Sequence, residues 1–409
     1  SPRRAPPIFL LGGGPGGSIL SDAQRAFDFA RRAAPDRPWI IHDPRGAGRS
    51  QPRLDCAGFP RPAACAASYR SAGHDASRYS TEMLASDVNH LAEALDYGTI
   101  DVMGVSYGAR LAYALASRYP DRTRALVLSA AAPVDAPLMQ TPVGRYLRAM
   151  DRVLADCEAS MDCRQWHGDV ARAHHDNLTR LRAEPPSIAA PGGPRPLSSQ
   201  LYVGLTFQLL ASSRGPARLP AFIRAVASGD TRGAEQMLAR LATKPAASAA
   251  FMHHAITCTE DLPVSSGDAA RRDLAALPDF GDKPMLEMLR SRCKAYGLTP
   301  IEEQGSRPWW NDVAPLPEHV PVLTLNGRYD PLASSWLWNR TRFGVPELTR
   351  FEVPRASHAT RESACGQALI ARFLEDPSGQ ILKPPECAND NGTYFSETFT
   401  SLDHKADGP

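Results

Sequence analysis

Nowhere in the 409 residues does an unbroken apolar run reach the roughly 18 residues that mark a membrane-spanning helix. No segment is therefore built to cross a bilayer in that form. An excess of one charge is also missing. Lys and Arg number 46 against 44 Asp and Glu, a formal +2, and no long block of like charge occurs. That leaves no electrostatic footprint for nucleic acid or an acidic membrane. Chelating patterns are lacking too, with no Cys-x2-Cys and no His-x3-His. The histidine doublets His174-His175 and His253-His254 are adjacent, and neighbours on a helix point about 100° apart, which suits one ion poorly. Neither a metal nor a cofactor is expected. The chain has no initial Met and no signal-peptide pattern. It opens at Ser1 in a Pro/Arg-rich stretch, and a leader is expected to have been removed or to lie outside the sequence.

What is present suits a packed globular protein. Hydrophobic residues make up 43% and charged ones 22%, close to ordinary composition. The length allows one large domain with an insertion, or two ordinary domains. Cys56, Cys65, Cys157, Cys163, Cys258, Cys293, Cys365 and Cys387 fall into short-range couples, which suits local disulfides. Buried thiols are the alternative.

Short apolar runs alternate with amphipathic stretches in the first third, the pattern of a parallel sheet flanked by helices. Strands are predicted at Ile8–Leu11, Trp39–His42, Ile100–Val105 and Ala125–Leu128, with helices over Thr81–Leu95 and Ala109–Arg118. Sheet character returns at Val320–Leu325 and Leu348–Val353, followed by a helix over Cys365–Leu374. Between them the spacing is helical, broken by a Pro/Gly/Ser loop at Glu184–Ser199. The expected division is residues 1–134 for the first half of an α/β core, 135–312 for a helical cap insertion, 313–376 for the second half and 377–409 for a tail. The insertion and the tail are expected to have thin cores of their own.

Chemistry is carried by Gly104-Val105-Ser106-Tyr107-Gly108, a G-x-S-x-G pattern set between a predicted strand and a predicted helix. A serine in that tight turn is presented at the carboxyl edge of the sheet, and the flanking glycines let the chain pass closely. The Tyr107 amide, at the start of the helix, can donate to a developing oxyanion. A serine hydroxyl is a weak nucleophile, so it needs a base held by an acid. Asp330 follows the strand ending at Leu325, and His358 follows the strand ending at Val353. The order Ser, acid, His is the one this topology uses. Of 11 histidines, His358 alone combines that order with a strand-end position. Taken singly, Asp330 reads as a turn cap and His358 as a surface histidine. The glycine run Gly12–Gly17 also fits G-x-G-x-x-G, but Ser18-Ile19-Leu20-Ser21 is a poor helix start for a dinucleotide site. A loop whose backbone completes an oxyanion hole fits better.

Together, Gly-Gly-Pro-Gly-Gly at 13–17, Asp43-Pro-Arg-Gly-Ala-Gly-Arg-Ser50, Gly-Val-Ser-Tyr-Gly at 104–108, Asn-Gly-Arg-Tyr-Asp-Pro at 326–331 and Ser357-His358 resemble the proline iminopeptidase/tripeptidyl aminopeptidase group of α/β-hydrolases. The secreted tripeptidyl aminopeptidase-like branch is the more similar, because Leu54-Asp55-Cys56, Ile256-Thr257-Cys258 and the Cys365 to Cys387 segment resemble its cysteine-bearing stretches. The resemblance runs from about residue 8 to 387. It implies the α/β-hydrolase fold, with Ser106 as nucleophile, Asp330 as acid, His358 as base, and Gly14 and Tyr107 as oxyanion amides. It also implies bacterial export, to the periplasm or beyond, and the bridges Cys56–Cys65, Cys157–Cys163, Cys258–Cys293 and Cys365–Cys387. Two departures stand out. Gly12 sits where many members carry His, and Ile8–Leu11 matches a strand that members reach only after an initial hairpin. The chain is therefore expected to be trimmed at its start.

The expected substrate is a peptide with a free amino terminus, whose α-ammonium calls for carboxylates near the nucleophile. Glu260 and Asp261 are the candidates, with solvated acids on a helix end as the alternative. A carboxylesterase acting on a small ester would instead present an apolar cleft, for which Trp309 and Trp310 are available, although paired tryptophans more often belong to a core. A dinucleotide-dependent oxidoreductase and a non-catalytic binding protein are the readings from other classes.

Overall fold

The computed structural model describes residues 6–136, 138–243, 249–298, 310, 313–340, 350–378, 385–387 and 394–399. The first part of the chain runs β1 (Ile8–Leu11), α1 (Ala23–Ala33), β2 (Trp39–Ile41), α2 (Pro62–Ser71), α3 (Thr81–Ala94), β3 (Ile100–Val105), α4 (Tyr107–Arg118) and β4 (Thr123–Ser129). A helical stretch follows: α5 (Pro142–Ala159), α6 (Met161–His167), α7 (Val170–Ala183), the short strands β5 (Ser187–Ile188) and β6 (Arg195–Pro196), then α8 (Ser199–Ala211), α9 (Gly215–Ala227) and α10 (Arg232–Thr243). It continues through α11 (Ala250–Glu260), α12 (Gly267–Ala275) and α13 (Met285–Tyr296). The chain then returns to the sheet with β7 (Val322–Gly327), β8 (Arg350–Val353) and α14 (Ala364–Glu375).

Six strands form one parallel sheet in the order β2-β1-β3-β4-β7-β8. Successive side chains of a strand point to opposite faces, and both faces here are covered. Phe9, Leu11, Val102, Leu126 and Val322 meet α3 and α4 on one side, while Ile8, Leu10, Met103, Val127 and Leu323 meet α1 and α14 on the other. Burial on both faces is why these strands read as continuous apolar runs. Asp101 brings a charge into this layer, fully buried in β3 but paired with Arg37 at 2.6 Å and with Arg124. From β1 the chain passes to β2 on one side and then to β3 on the other. That reversal opens a crevice at the carboxyl ends of β1 and β3, where such sheets hold ligands.

The helices after β4 do not have a thin core. Tyr146, Tyr202, Phe222 and Leu209 pack inside α5–α9 as a cluster of their own. Residues 394–399 of the tail join that cluster: Phe395 is buried in it, Phe399 lies against Phe222, and Ser396 donates to the Ala217 carbonyl. The stretch expected as a plain loop at Glu184–Ser199 instead forms an antiparallel pair, β5 with β6. Strand Leu348–Val353 is observed from Arg350, its first two residues lying outside the described ones. Four disulfides join Cys56 to Cys65, Cys157 to Cys163, Cys258 to Cys293 and Cys365 to Cys387. The third ties α11 to α13. The fourth spans a sequence separation of 22, a loop whose closure contributes about 3 kcal/mol in the chain-entropy model.

Candidate active site

Ser106 follows β3 directly and caps α4 with φ 58° and ψ −122°, a backbone conformation that L-residues rarely adopt. The flanking glycines explain how the turn closes. A Cβ on Gly104 would lie 2.2 Å from the Gly108 carbonyl oxygen, and one on Gly108 would lie 2.2 Å from that of Leu11. The pattern G-x-S-x-G is thus a packing requirement that turns the serine outward above the sheet. Its amide is held by the Ser129 carbonyl at 2.9 Å.

Asp330 and His358 come from the ends of β7 and β8. Ser106 Oγ donates to His358 Nε2 at 2.9 Å, and His358 Nδ1 donates to Asp330 Oδ2 at 2.9 Å. Asp330 is 2% exposed, whereas Ser106 and His358 remain partly open. Burial alone would push the Asp330 carboxyl up. The His358 imidazole and the N–H groups of Ala333 and Leu332 outweigh that and hold it below the usual carboxylate range.

Both supporting loops are tied to the helices between β4 and β7. Arg328 and Tyr329 each reach Asp156 of α5 at 2.7 Å, and Arg145 of the same helix donates to the Pro331 carbonyl at 3.2 Å. The Ser357 hydroxyl donates to the Leu210 carbonyl of α8.

The glycine run wraps the other side of Ser106. A Cβ on Gly13 would stand 3.0 Å from the Ser106 Cβ, so Gly13 is the loop residue that abuts the serine, with Gly14 next in the chain. Sequence reasoning singled out Gly14 and passed over Gly13, although the run itself was the signal. Tyr107 is the first residue of α4, and its N–H is one of those a helix leaves without an intrahelical acceptor. The first α-helix after the run opens only at Ala23, so Gly17 does not lead into a helix that could receive a dinucleotide phosphate.

Glu260 and Asp261 are not solvated acids on a helix end. They are 1% and 3% exposed. Glu260 accepts from the Thr81 N–H at 2.6 Å and the Thr81 hydroxyl at 2.5 Å, and that hydroxyl lies 2.6 Å from the Tyr107 hydroxyl. Asp261 accepts from Arg110 of α4 at 2.8 Å. Both carboxylates are thus committed to protein groups beside the serine turn. Trp310 is buried in the sheet core, and Trp309 lies outside the described residues.

Burial raises the Glu260 carboxyl to about 7, against opposing hydrogen bonds from Thr81. The sign follows from proton uptake. The folded state holds this proton more tightly than the unfolded state, so its contribution is fully present below the ordinary value of 4.5 and is lost as pH rises through about 7. Glu260→Gln cannot ionise. Its stability relative to wild type should therefore improve by roughly 3 kcal/mol between the two ends of that window. Denaturant midpoints measured across pH check this, and parallel curves for the two proteins would rule it out.

The alpha/beta hydrolase fold family model matches residues 6–360. Among curated proteins, the putative 2-succinyl-6-hydroxy-2,4-cyclohexadiene-1-carboxylate synthase of Bacillus subtilis (strain 168) is 40% identical over 80 residues, 19% of this chain. The chain spans only 28% of that relative's length. Similar solved structures include proline iminopeptidase of Mycobacterium smegmatis, at 16% identity and a TM-score of 0.41 with 92% of each chain covered. A thermophilic esterase from Thermogutta terrifontis is 18% identical with a TM-score of 0.40, again over 92% of each chain.

Proposed function

Because the chain belongs to the α/β-hydrolase fold family, we propose that it is a serine hydrolase working through an acyl-enzyme on Ser106. The carrying observation is the hydrogen-bonded path from Ser106 through His358 to Asp330, both links at 2.9 Å. In this reading His358 takes the Ser106 proton as the hydroxyl attacks a scissile carbonyl, and Asp330 stabilises the imidazolium that forms. The amides of Gly14 and Tyr107 receive the oxyanion. His358 then protonates the leaving group, and later activates the water that releases the acyl group. Residues 135–312 act as the cap over this centre, between the core halves 1–134 and 313–376.

For the substrate we favour a peptide with a free amino terminus, the enzyme releasing residues or short peptides from that end. The support is the set of motifs shared with the tripeptidyl aminopeptidase-like group. Four disulfides fit an oxidising compartment, so we place the protein outside the cytoplasm. One observation favours an esterase instead: Glu260 and Asp261 are already engaged by Thr81 and Arg110. Turnover of a peptide amide, its N-acetylated form and a short acyl ester separates the two. Acetylation should abolish cleavage by an aminopeptidase, whereas a preference for the ester would reverse the choice. Failure of a fluorophosphonate to label Ser106 would count against catalysis altogether.

A further inference from the structure

The run Gly12–Gly17 supplies few side chains with which to hold itself in place, yet Gly13 sits against Ser106 and Gly14 follows directly. What fixes the far side of this loop is α11. The Ala249 N–H donates to the Gly16 carbonyl at 2.9 Å, and His253 Nδ1 lies 3.2 Å from the Pro15 carbonyl oxygen. A carbonyl only accepts, so Nδ1 carries the proton. The approach is close enough to need glycine. A Cβ on Gly16 would stand 3.1 Å from the Ala249 carbonyl oxygen and 3.4 Å from the His253 backbone nitrogen, at a φ of +81°. Gly14 is thus strung between a residue packed on Ser106 and two carbonyls pinned by α11.

We propose that His253 is a positioning residue for the reaction, its Nδ1–H holding the Pro15 carbonyl so that the Gly14 amide stays aimed at the oxyanion. This rests on the serine-hydrolase reading. Burial keeps the imidazole neutral toward lower pH, outweighing the Pro15 carbonyl and Asp261, just past the end of α11, which both favour its charged form. The same ring meets His254 edge-on at 5.2 Å. His253 does not touch the reacting atoms. Its contribution is orientation, which matters because a misplacement of about 1 Å can cost on the order of a hundredfold in rate.

The discriminating variants are His253→Leu, which removes the donor, and His253→Asn, whose amide nitrogen can take the place of Nδ1. Measured with a short ester, His253→Leu should lower kcat by about 10- to 100-fold with KM nearly unchanged. Affinity for a boronic acid that forms a tetrahedral adduct on serine should weaken in parallel. His253→Asn should recover most of both losses. Wild-type kcat in His253→Leu overturns the proposal. So does a fall in kcat that leaves boronate affinity intact, or a His253→Asn variant no better than His253→Leu. Should His253→Leu fail to fold, His253→Phe decides, since it keeps a ring of similar bulk in the same place and lacks the nitrogen that meets the Pro15 carbonyl. The same paired loss of kcat and boronate affinity is then required, and its absence overturns the proposal. Ser106→Ala, assayed alongside, keeps the failures apart. If it is inert while His253→Leu is unimpaired, only the positioning role falls. If Ser106→Ala is unimpaired, the hydrolase reading falls and this proposal with it.

Discussion

Ser106→Ala is expected to lower turnover on the order of a million-fold while leaving the fold intact. The acyl-enzyme path requires an oxygen on this side chain, which sits 2.9 Å from His358 Nε2, and among the described residues no other side chain is hydrogen-bonded to that nitrogen. Losing the nucleophile of such a unit costs about as much as losing the whole relay, and the residual rate comes from binding and the oxyanion donors. Stability should barely change. Alanine inherits the same φ of 58° and the same strain, and the Ser129 carbonyl still accepts from the residue-106 amide. Ser106→Gly is the informative contrast. It relieves the left-handed strain, so its unfolding midpoint should rise even though it is equally inert. Steady-state rates with a thermal melt read both effects. Turnover in Ser106→Ala within tenfold of wild type would remove the serine from the chemistry.

The sheet was legible because its four inner strands, β1, β3, β4 and β7, are buried on both faces, and apolar runs survive as a signal without any help from periodicity. The expected bounds of β1 and β3 match those observed. Helix α4 begins at Tyr107, two residues before the expected Ala109. Gly108 is a weak helix former, and only its packing under the Leu11 carbonyl, made by a distant strand, reveals why a glycine stands inside this helix. The approach of Ser106, Asp330 and His358 could be anticipated from their order and their places at strand ends. What could not be read were contacts that local sequence does not encode. Glu260 and Asp261 look like surface acids until Thr81 and Arg110, 179 and 151 residues away, are brought to them. His253 stands in a doublet to which local spacing assigns no role, and its partner Pro15 is 238 residues distant. The β5–β6 pair rests on two residues per strand, too few for any alternation to show.

Asp330→Asn is the second large effect, expected at about ten-thousand-fold in kcat with the fold preserved. The carboxylate has two separate tasks. Oδ1 accepts from the Leu332 and Ala333 N–H groups at 2.7 and 3.0 Å, and Oδ2 accepts from His358 Nδ1 at 2.9 Å. An asparagine must keep its oxygen on the two backbone donors, because turning its NH2 toward them would bury opposed hydrogens. The NH2 therefore replaces Oδ2 and points at Nδ1. A donor facing Nδ1 favours the tautomer that carries its proton on Nε2, the nitrogen that must accept from Ser106. The base is then blocked rather than displaced, so KM should change little while kcat collapses. Raising the pH should not restore the rate to the wild-type level, since a neutral imidazole facing that NH2 carries its proton on Nε2. Asp330→Ala should behave differently. It strips the two backbone N–H groups of their acceptor as well, and should lower the unfolding midpoint along with the rate. Kinetics and melts on both variants separate the roles. An Asp330→Asn enzyme within tenfold of wild type would show that His358 takes its orientation from elsewhere.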